Sequence, residues 1–168
     1  DLDGLVKGVQ EAETQTDATA CFLHIGEEYA SKPTVRQREV VERLVDAGAD
    51  AVICSHSHIV QPMEELRTQA GNTAVVYWSL GNFVSNQMDP RTVLGAAASL
   101  RFERQPDGTV LLARHEAIPL VCHFDEQSTY ACFLDDYTDA DAAAHYLNQD
   151  EPAFTLEALR QQWHATMG

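Results

Sequence analysis

The chain opens with Leu2, Leu5, Val6 and Val9 at helical spacing, which predicts an amphipathic helix over residues 1–14. The short apolar run ATACFLHI, residues 18–25, reads as a buried strand that ends in a histidine. GEEYASKP, 26–33, is a polar loop closed by Pro33. Thr34 and Gln37 then form the Thr-x-x-Gln capping box, a pattern in which each side chain satisfies a backbone donor at a helix start. Val40, Val41, Leu44 and Val45 make one apolar stripe on that helix, and Gly48 sits where a left-handed C-terminal cap belongs. ADAVIC, 49–54, is the next strand. Strand, helix and strand with short connections make a βαβ unit, so the two strands are expected to be adjacent and parallel, with a right-handed crossover.

Beyond Pro62 the pattern changes to paired strands. Segments 63–69 and 73–79 flank Gly71-Asn72 and predict a hairpin. Segments 92–104 and 109–120 flank Pro106-Asp107-Gly108, a turn signal, and predict a second one. In its first strand Leu100 and Phe102 alternate with Arg101 and Glu103, so one face is wet. Tyr77, Trp78 and Phe83 read as core. From about residue 135 the chain is richer in Asp and Ala, and helices are expected over 139–148 and 154–166. The fold class is therefore α/β: a parallel βαβ unit, then antiparallel strands, then C-terminal helices. Residues 1–134 read as one domain and 135–168 as a helical tail.

Composition narrows the possible partners. The 168 residues suffice for one domain with a real core. A net charge of −15 repels phosphate backbones and argues against nucleic acid as a partner. Cys21, Cys54, Cys122 and Cys132 show no CxxC spacing, and they read as free thiols packed in the core, with one long-range pair as the alternative. No apolar run has the length of about 20 residues that a membrane span needs. No leader is visible, but the chain starts on DLDGLVKGVQ without Met and reads as part of something longer.

The candidate chemistry lies in CSHSHIVQP, residues 54–62. Ligand sites in open α/β sheets lie beyond the C-terminal ends of parallel strands. FLHIG places His24 at such an end, and VICSHSH places His56 and His58 just past the next. Three imidazoles on one rim point to a metal such as zinc, iron, manganese or copper, usually completed by carboxylates. On extended backbone the two rings of His-x-His would face one side; on a tight turn they can splay toward two neighbouring ions. The other four histidines, His115, His123, His145 and His164, read as surface or ordinary polar positions.

HIGEEY at 24–29, SHSHIVQPME at 55–64 and VVYWSLGNFVSNQ at 75–87 occur in that order. The chain resembles the bacterial CapA family of poly-γ-glutamate capsule biosynthesis proteins, within the calcineurin-like metallophosphoesterases. The family's patterns are His-Trp-Gly-x-Glu-Tyr, Gly-x-His-Pro-His-Val-x-Gln and Tyr-Ser-Leu-Gly-Asn-Phe. Ile25, Cys54 and Ser57 depart from them without removing a nitrogen ligand. The family's upstream Asp and Asn-His motifs have no match, so by resemblance the chain corresponds to the C-terminal half of a metallophosphoesterase sandwich. The resemblance implies that His24 and His56 bind one divalent ion (Mn, Fe or Zn) and His58 another, with the bridging carboxylate supplied by a missing N-terminal half.

It also implies catalytic roles for His24 and Glu28, the latter either orienting His24 or capping its loop. Asn82 is a candidate substrate contact or turn former, and Gln61 a substrate donor or a structural hydrogen bond. The implied partners are an anionic surface polymer or its precursor and other capsule-assembly proteins. The implied setting is extracytoplasmic, with the full-length protein anchored at the membrane. This chain by itself is expected to bind at most one ion and to lack phosphoesterase turnover.

Overall fold

The computed structural model describes residues 1–168. Helix α1, Leu2–Glu13, starts where the Asp1 carboxylate accepts from Gly4 N. Strand β1, Ala20–His24, is followed by helix α2, Val35–Asp46, and strand β2, Ala51–Ser55. Thr34 caps α2 by accepting from Gln37 N at 3.1 Å. The reciprocal half of the expected capping box does not form. Gln37 turns inward, is 1% exposed, and its Nε2 donates to Trp78 O at 2.9 Å, so it ties the helix to the sheet instead. Gly48 has φ 121°, a backbone that glycine adopts without strain as the chain leaves α2.

β1 and β2 pair in parallel, with His24 opposite Ser55, as the βαβ pattern predicts. Strand β3, Val60–Arg67, forms an antiparallel hairpin with β4, Thr73–Leu80. It starts before Pro62, three residues earlier than the paired-strand pattern suggests. β4 then inserts beside β2 in parallel, which gives the order β1-β2-β4-β3. A central strand covered on both faces needs a continuous apolar run, and Ala74–Trp78 supply one, all buried.

Strands β5, Leu94–Arg104, β6, Val110–Phe124, and β7, Thr129–Phe133, form a second, antiparallel sheet. β6 runs through Pro119 and on to Phe124, four residues past the expected end at 120, and β7 has no counterpart in the sequence pattern. The proline is tolerated because the β7 ladder begins only at Leu120, opposite Phe133.

The layers follow from which faces are apolar. Val41, Leu44 and Val45 of α2 and Val9 of α1 pack on Val52, Val76 and Trp78, on one face of the first sheet. Each fully buried aliphatic side chain there contributes roughly 1.5–3 kcal/mol. On the other face Ala51, Ile53, Val75 and Tyr77 meet Ala98, Leu100, Leu112 and Ala117 of the second sheet. Helices α3, Asp139–Ala144, and α4, Leu156–Met167, close a third cluster through Ala142, Leu156 and Leu159 against Leu94 and Val121. The helical segment thus shares a core with the antiparallel sheet. β1 is an edge strand, and its face away from the helices is open: Phe22 on it is 76% exposed. All four cysteines are free. No helix is long and apolar enough to cross a membrane.

Candidate metal centre

The parallel register brings the ends of β1 and β2 to one rim. His24 Nδ1 lies 3.3 Å from Ser55 Oγ, and His24 Nε2 lies 2.9 Å from His56 Nδ1. The two rings meet edge to face, with centroids 4.7 Å apart. After Ser55 the backbone makes a tight turn rather than continuing extended. His56 has φ 126° and His58 φ 62°, conformations that side-chain-bearing residues rarely adopt. Strain of about 1–3 kcal/mol at such positions persists only where the surroundings impose it. Ser57 supplies that restraint: it is 2% exposed, its Oγ donates to Ile59 O at 2.7 Å, and its carbonyl accepts from Tyr29 N at 2.8 Å. The turn splays His56 and His58, whose ring centroids stand 6.4 Å apart.

His58 has its own surroundings. Its Nδ1 lies 2.9 Å from Asn82 Oδ1, and its Nε2 lies 4.0 Å from the exposed carboxylate of Glu28. Asn82 follows Gly81, whose φ of 66° turns the chain off β4. A side chain at position 81 would strike Val60 and the carbonyl of Leu94, so only glycine fits. Asn82 therefore reaches the rim through a turn, and its contact there is His58. Glu28 approaches His58, whereas the partners of His24 are Ser55 and His56. Gln61 is 1% exposed, and its Nε2 donates to Ala30 O at 2.8 Å, which holds the 26–33 loop against β3.

The donor set can be tested against a metal. Ligand nitrogens about 2.0–2.1 Å from one zinc ion stand about 3.3–3.4 Å apart in a tetrahedral shell. The 2.9 Å between His24 Nε2 and His56 Nδ1 is a few tenths of an ångström shorter, so a small ring movement would admit an ion between them. Without an ion the same distance is a hydrogen bond, with one nitrogen donating. No group of three or more His, Cys, Asp or Glu side chains is gathered to hold an ion. The rim thus offers two converging imidazoles and one set apart, a partial shell open to further donors. A cavity of about 270 Å³ beside the pair is lined by His24, Gly26, Thr34, Arg36 and His56 among others. Arg36 there puts a positive charge next to the imidazoles on a chain of net charge −15.

Two histidines expected at polar surface positions lie elsewhere than the pattern suggests. His123 is 2% exposed and His145 fully buried, packed with Phe124, Tyr137 and Phe154. The reason is that β6 extends past Pro119 and buries His123, while α3 stops at Ala144 and turns His145 inward. Phe83, read as core, is 67% exposed on the loop after Gly81. Tyr29, Ser57 and Gln87 also shape the rim. Tyr29 and Gln87 stand inside the quoted motifs, but nothing in their spacing marks a role, and Ser57 shows only as a residue between two histidines.

A mixed sheet stacked on an antiparallel one, with imidazoles gathered at the parallel strand ends, defines a two-sheet α/β domain. The chain belongs to the bacterial capsule synthesis proteins: residues 1–87 match the family described as bacterial capsule synthesis protein PGA_cap. That match takes in α1 to β4, all three rim histidines and the loop to Gln87. The chain is 33% identical over 115 residues to the PGA biosynthesis protein CapA of Bacillus subtilis (strain 168), covering 68% of this chain and 28% of that protein. It is 31% identical over 122 residues to the capsule biosynthesis protein CapA of Bacillus anthracis, covering 70% of this chain and 27% of that one. The alignments thus span just over a quarter of the length of these relatives.

Proposed function

We propose that the full-length protein is a metal-dependent, phosphoesterase-like enzyme of capsule assembly. It works on an anionic surface polymer, poly-γ-glutamate or its precursor, alongside other capsule-assembly proteins, anchored outside the cytoplasmic membrane. The observation that carries this reading is the 2.9 Å approach of His24 Nε2 and His56 Nδ1, on a backbone bent to φ 126° at His56. Two nitrogens so placed suit one divalent ion of Mn, Fe or Zn, and His58 serves a second. The remaining donors, carboxylates above all, come from an N-terminal half of the same domain, for which the open face of β1 at Phe22 offers a docking surface.

Such a pair of ions, when bound, makes a hydroxide available at neutral pH and neutralises charge on a transferring phosphoryl group. This chain's own residues have narrower tasks. His24 and His56 present their nitrogens, Asn82 engages His58 Nδ1, and the Glu28 carboxylate stands beside the rim. Gln61 keeps the 26–33 loop seated.

Calorimetry tests the reading on this chain. The wild type binds one zinc or manganese ion weakly, and the His56→Ala, His58→Ala double variant does not. Equal binding by both proteins overturns it. In the full-length protein, manganese-dependent phosphoester turnover should vanish with His56→Ala. Polymer binding without any turnover would instead support a non-catalytic scaffold in capsule assembly.

A further inference from the structure

The rim holds one side chain whose partners all bear on His58. Asn82 is 9% exposed, and both ends of its carboxamide are engaged. Oδ1 faces His58 Nδ1 at 2.9 Å, while Nδ2 donates to Gln87 Oε1 at 2.8 Å and to Thr92 O at 3.4 Å. Thr92 O is a backbone carbonyl and can only accept. Turning the Asn82 carboxamide over would put oxygen against oxygen at Thr92 and again at Gln87. Turning Gln87 as well would relieve only the second clash. The network therefore fixes Asn82 with its oxygen toward His58.

That has a chemical consequence. A carboxamide oxygen only accepts, so His58 Nδ1 must carry the proton, and in the neutral ring Nε2 keeps its lone pair. Nε2 is the nitrogen on the open side, facing Glu28. Gln87 also touches the other flank: its Nε2 donates to Tyr29 OH at 3.4 Å, and the Tyr29 ring lies 5.9 Å from the His58 ring. The loop bearing Asn82 and Gln87 is pinned at Ser85, whose N donates to Cys122 Sγ at 3.0 Å while the thiol donates to Ser85 O at 3.1 Å. Cys122 is buried on β6, so the second sheet sets the height of this loop.

We propose that Gln87 is a positioning residue of the rim: by holding the Asn82 carboxamide it fixes His58 in the Nδ1–H tautomer and presents the Nε2 lone pair to an electrophile, a divalent cation above all. The cation rests on the function proposed above; the tautomer does not. Residues behind a metal-binding histidine commonly fix its tautomer, and their loss costs about 10–100-fold in metal affinity.

The test uses this chain, ¹⁵N-labelled, at about pH 8, above the reference histidine pKa of about 6.5. Nitrogen shifts of the His58 ring report the tautomer directly. Wild type shows Nδ1–H. Gln87→Leu shifts the population toward Nε2–H and, if His58 shares the one ion this chain binds, weakens zinc binding about tenfold by calorimetry. Gln87→Glu restores both, because a carboxylate oxygen still accepts from Asn82 Nδ2. Gln87→Leu and Gln87→Glu keep the same urea midpoint, which a merely structural loop contact would not separate from the tautomer change. An Nε2–H ring in wild type overturns the relay, and so does a tautomer unmoved by Gln87→Leu. A tautomer that moves while zinc affinity stays fixed upholds the relay and removes His58 from the metal ligands.

Discussion

The rim histidines and the buried pair His123–His145 carry the same imidazole under opposite conditions. At the rim the rings are exposed or half-exposed, two of the three backbones are forced to positive φ, and ring nitrogens face open space. In the core no such backbone is needed and each nitrogen has a polar neighbour. His123 Nδ1 lies 2.8 Å from Tyr137 OH, and its Nε2 lies 3.6 Å from Asp125. His145 Nδ1 accepts from Leu147 N at 3.1 Å, and its Nε2 donates to Cys122 O at 3.3 Å. Phe124, Phe154 and His123 all pack edge-on around His145, with ring centroids at 4.6, 5.0 and 5.1 Å. A satisfied, enclosed ring stabilises a fold; a strained ring with a free nitrogen costs stability and can bind something.

The largest expected difference is in stability. His145→Ala removes a ring buried on every side and leaves a cavity, with a loss of about 3–5 kcal/mol expected by analogy with large aromatic truncations. His56→Ala should change stability by less than about 0.5 kcal/mol, because alanine inherits the same strained backbone and little packing is lost. Urea unfolding of the two variants measures the contrast, and comparable losses would erase it.

Acid sharpens the same contrast. Burial lowers the His145 pKa to about 4, against the opposing effect of its bond to Cys122 O. The folded state therefore favours the neutral ring, and the unfolded chain takes up the proton first as pH falls. The contribution of His145 is complete above about pH 6.5 and is lost progressively toward about pH 4, by up to roughly 3 kcal/mol. His145→Gln keeps an acceptor but cannot charge, so its stability should fall less over that interval. Asp125, whose carboxyl is held low chiefly by the backbone N–H groups of Gln127 and Ser128, acts in a lower window because its unfolded pKa is near 3.9. The difference between wild type and His145→Gln between pH 6.5 and 4 thus isolates the imidazole, and equal slopes would show that the buried ring carries no proton linkage.

At the rim the sign of a substitution should reverse. Glycine accepts φ 126° without a Cβ penalty, so His56→Gly should raise stability by about 1 kcal/mol while abolishing zinc binding. The gain is reduced by the extra freedom glycine confers on the unfolded chain. A destabilised His56→Gly would mean that the His24 contact outweighs the backbone strain.

The rim was more legible in the sequence than the core pair, and the reason is local against non-local information. His24 and His56 follow short apolar runs, and the parallel pairing of those runs follows from the capped helix between them. Strand ends then place the imidazoles with no knowledge of side-chain contacts. His123 and His145 gave no comparable signal. Their burial depends on β6 continuing through Pro119, on β7 pairing beside it, and on α3 ending at Ala144, each decided by packing between distant segments. Gln37 is a similar case: the Thr-x-x-Gln spacing predicts a reciprocal cap, but the amide gains a buried carbonyl at Trp78 instead. The Gln87–Asn82–His58 relay joins residues that only the Gly81 turn brings together, and no periodicity announces it.

The smallest expected effect concerns Glu28. Its carboxylate lies 4.0 Å from His58 Nε2, with side-chain exposures of 59% and 29%. Exposed pairs of this kind are worth about 0–1 kcal/mol, and only when the imidazole is charged. With both side chains exposed to that degree, Glu28→Gln should leave stability within about 0.5 kcal/mol of wild type at any salt concentration. With zinc present the carboxylate faces a cation, and the same substitution should lower affinity several-fold at low salt. The loss should shrink as the Debye length falls to about 3 Å near 1 M salt. A stability loss above 1 kcal/mol without metal would make Glu28 a structural cap of its loop. A zinc affinity lowered equally at low and high salt would make it a direct ligand, since a coordinate bond is not screened as a distant charge is.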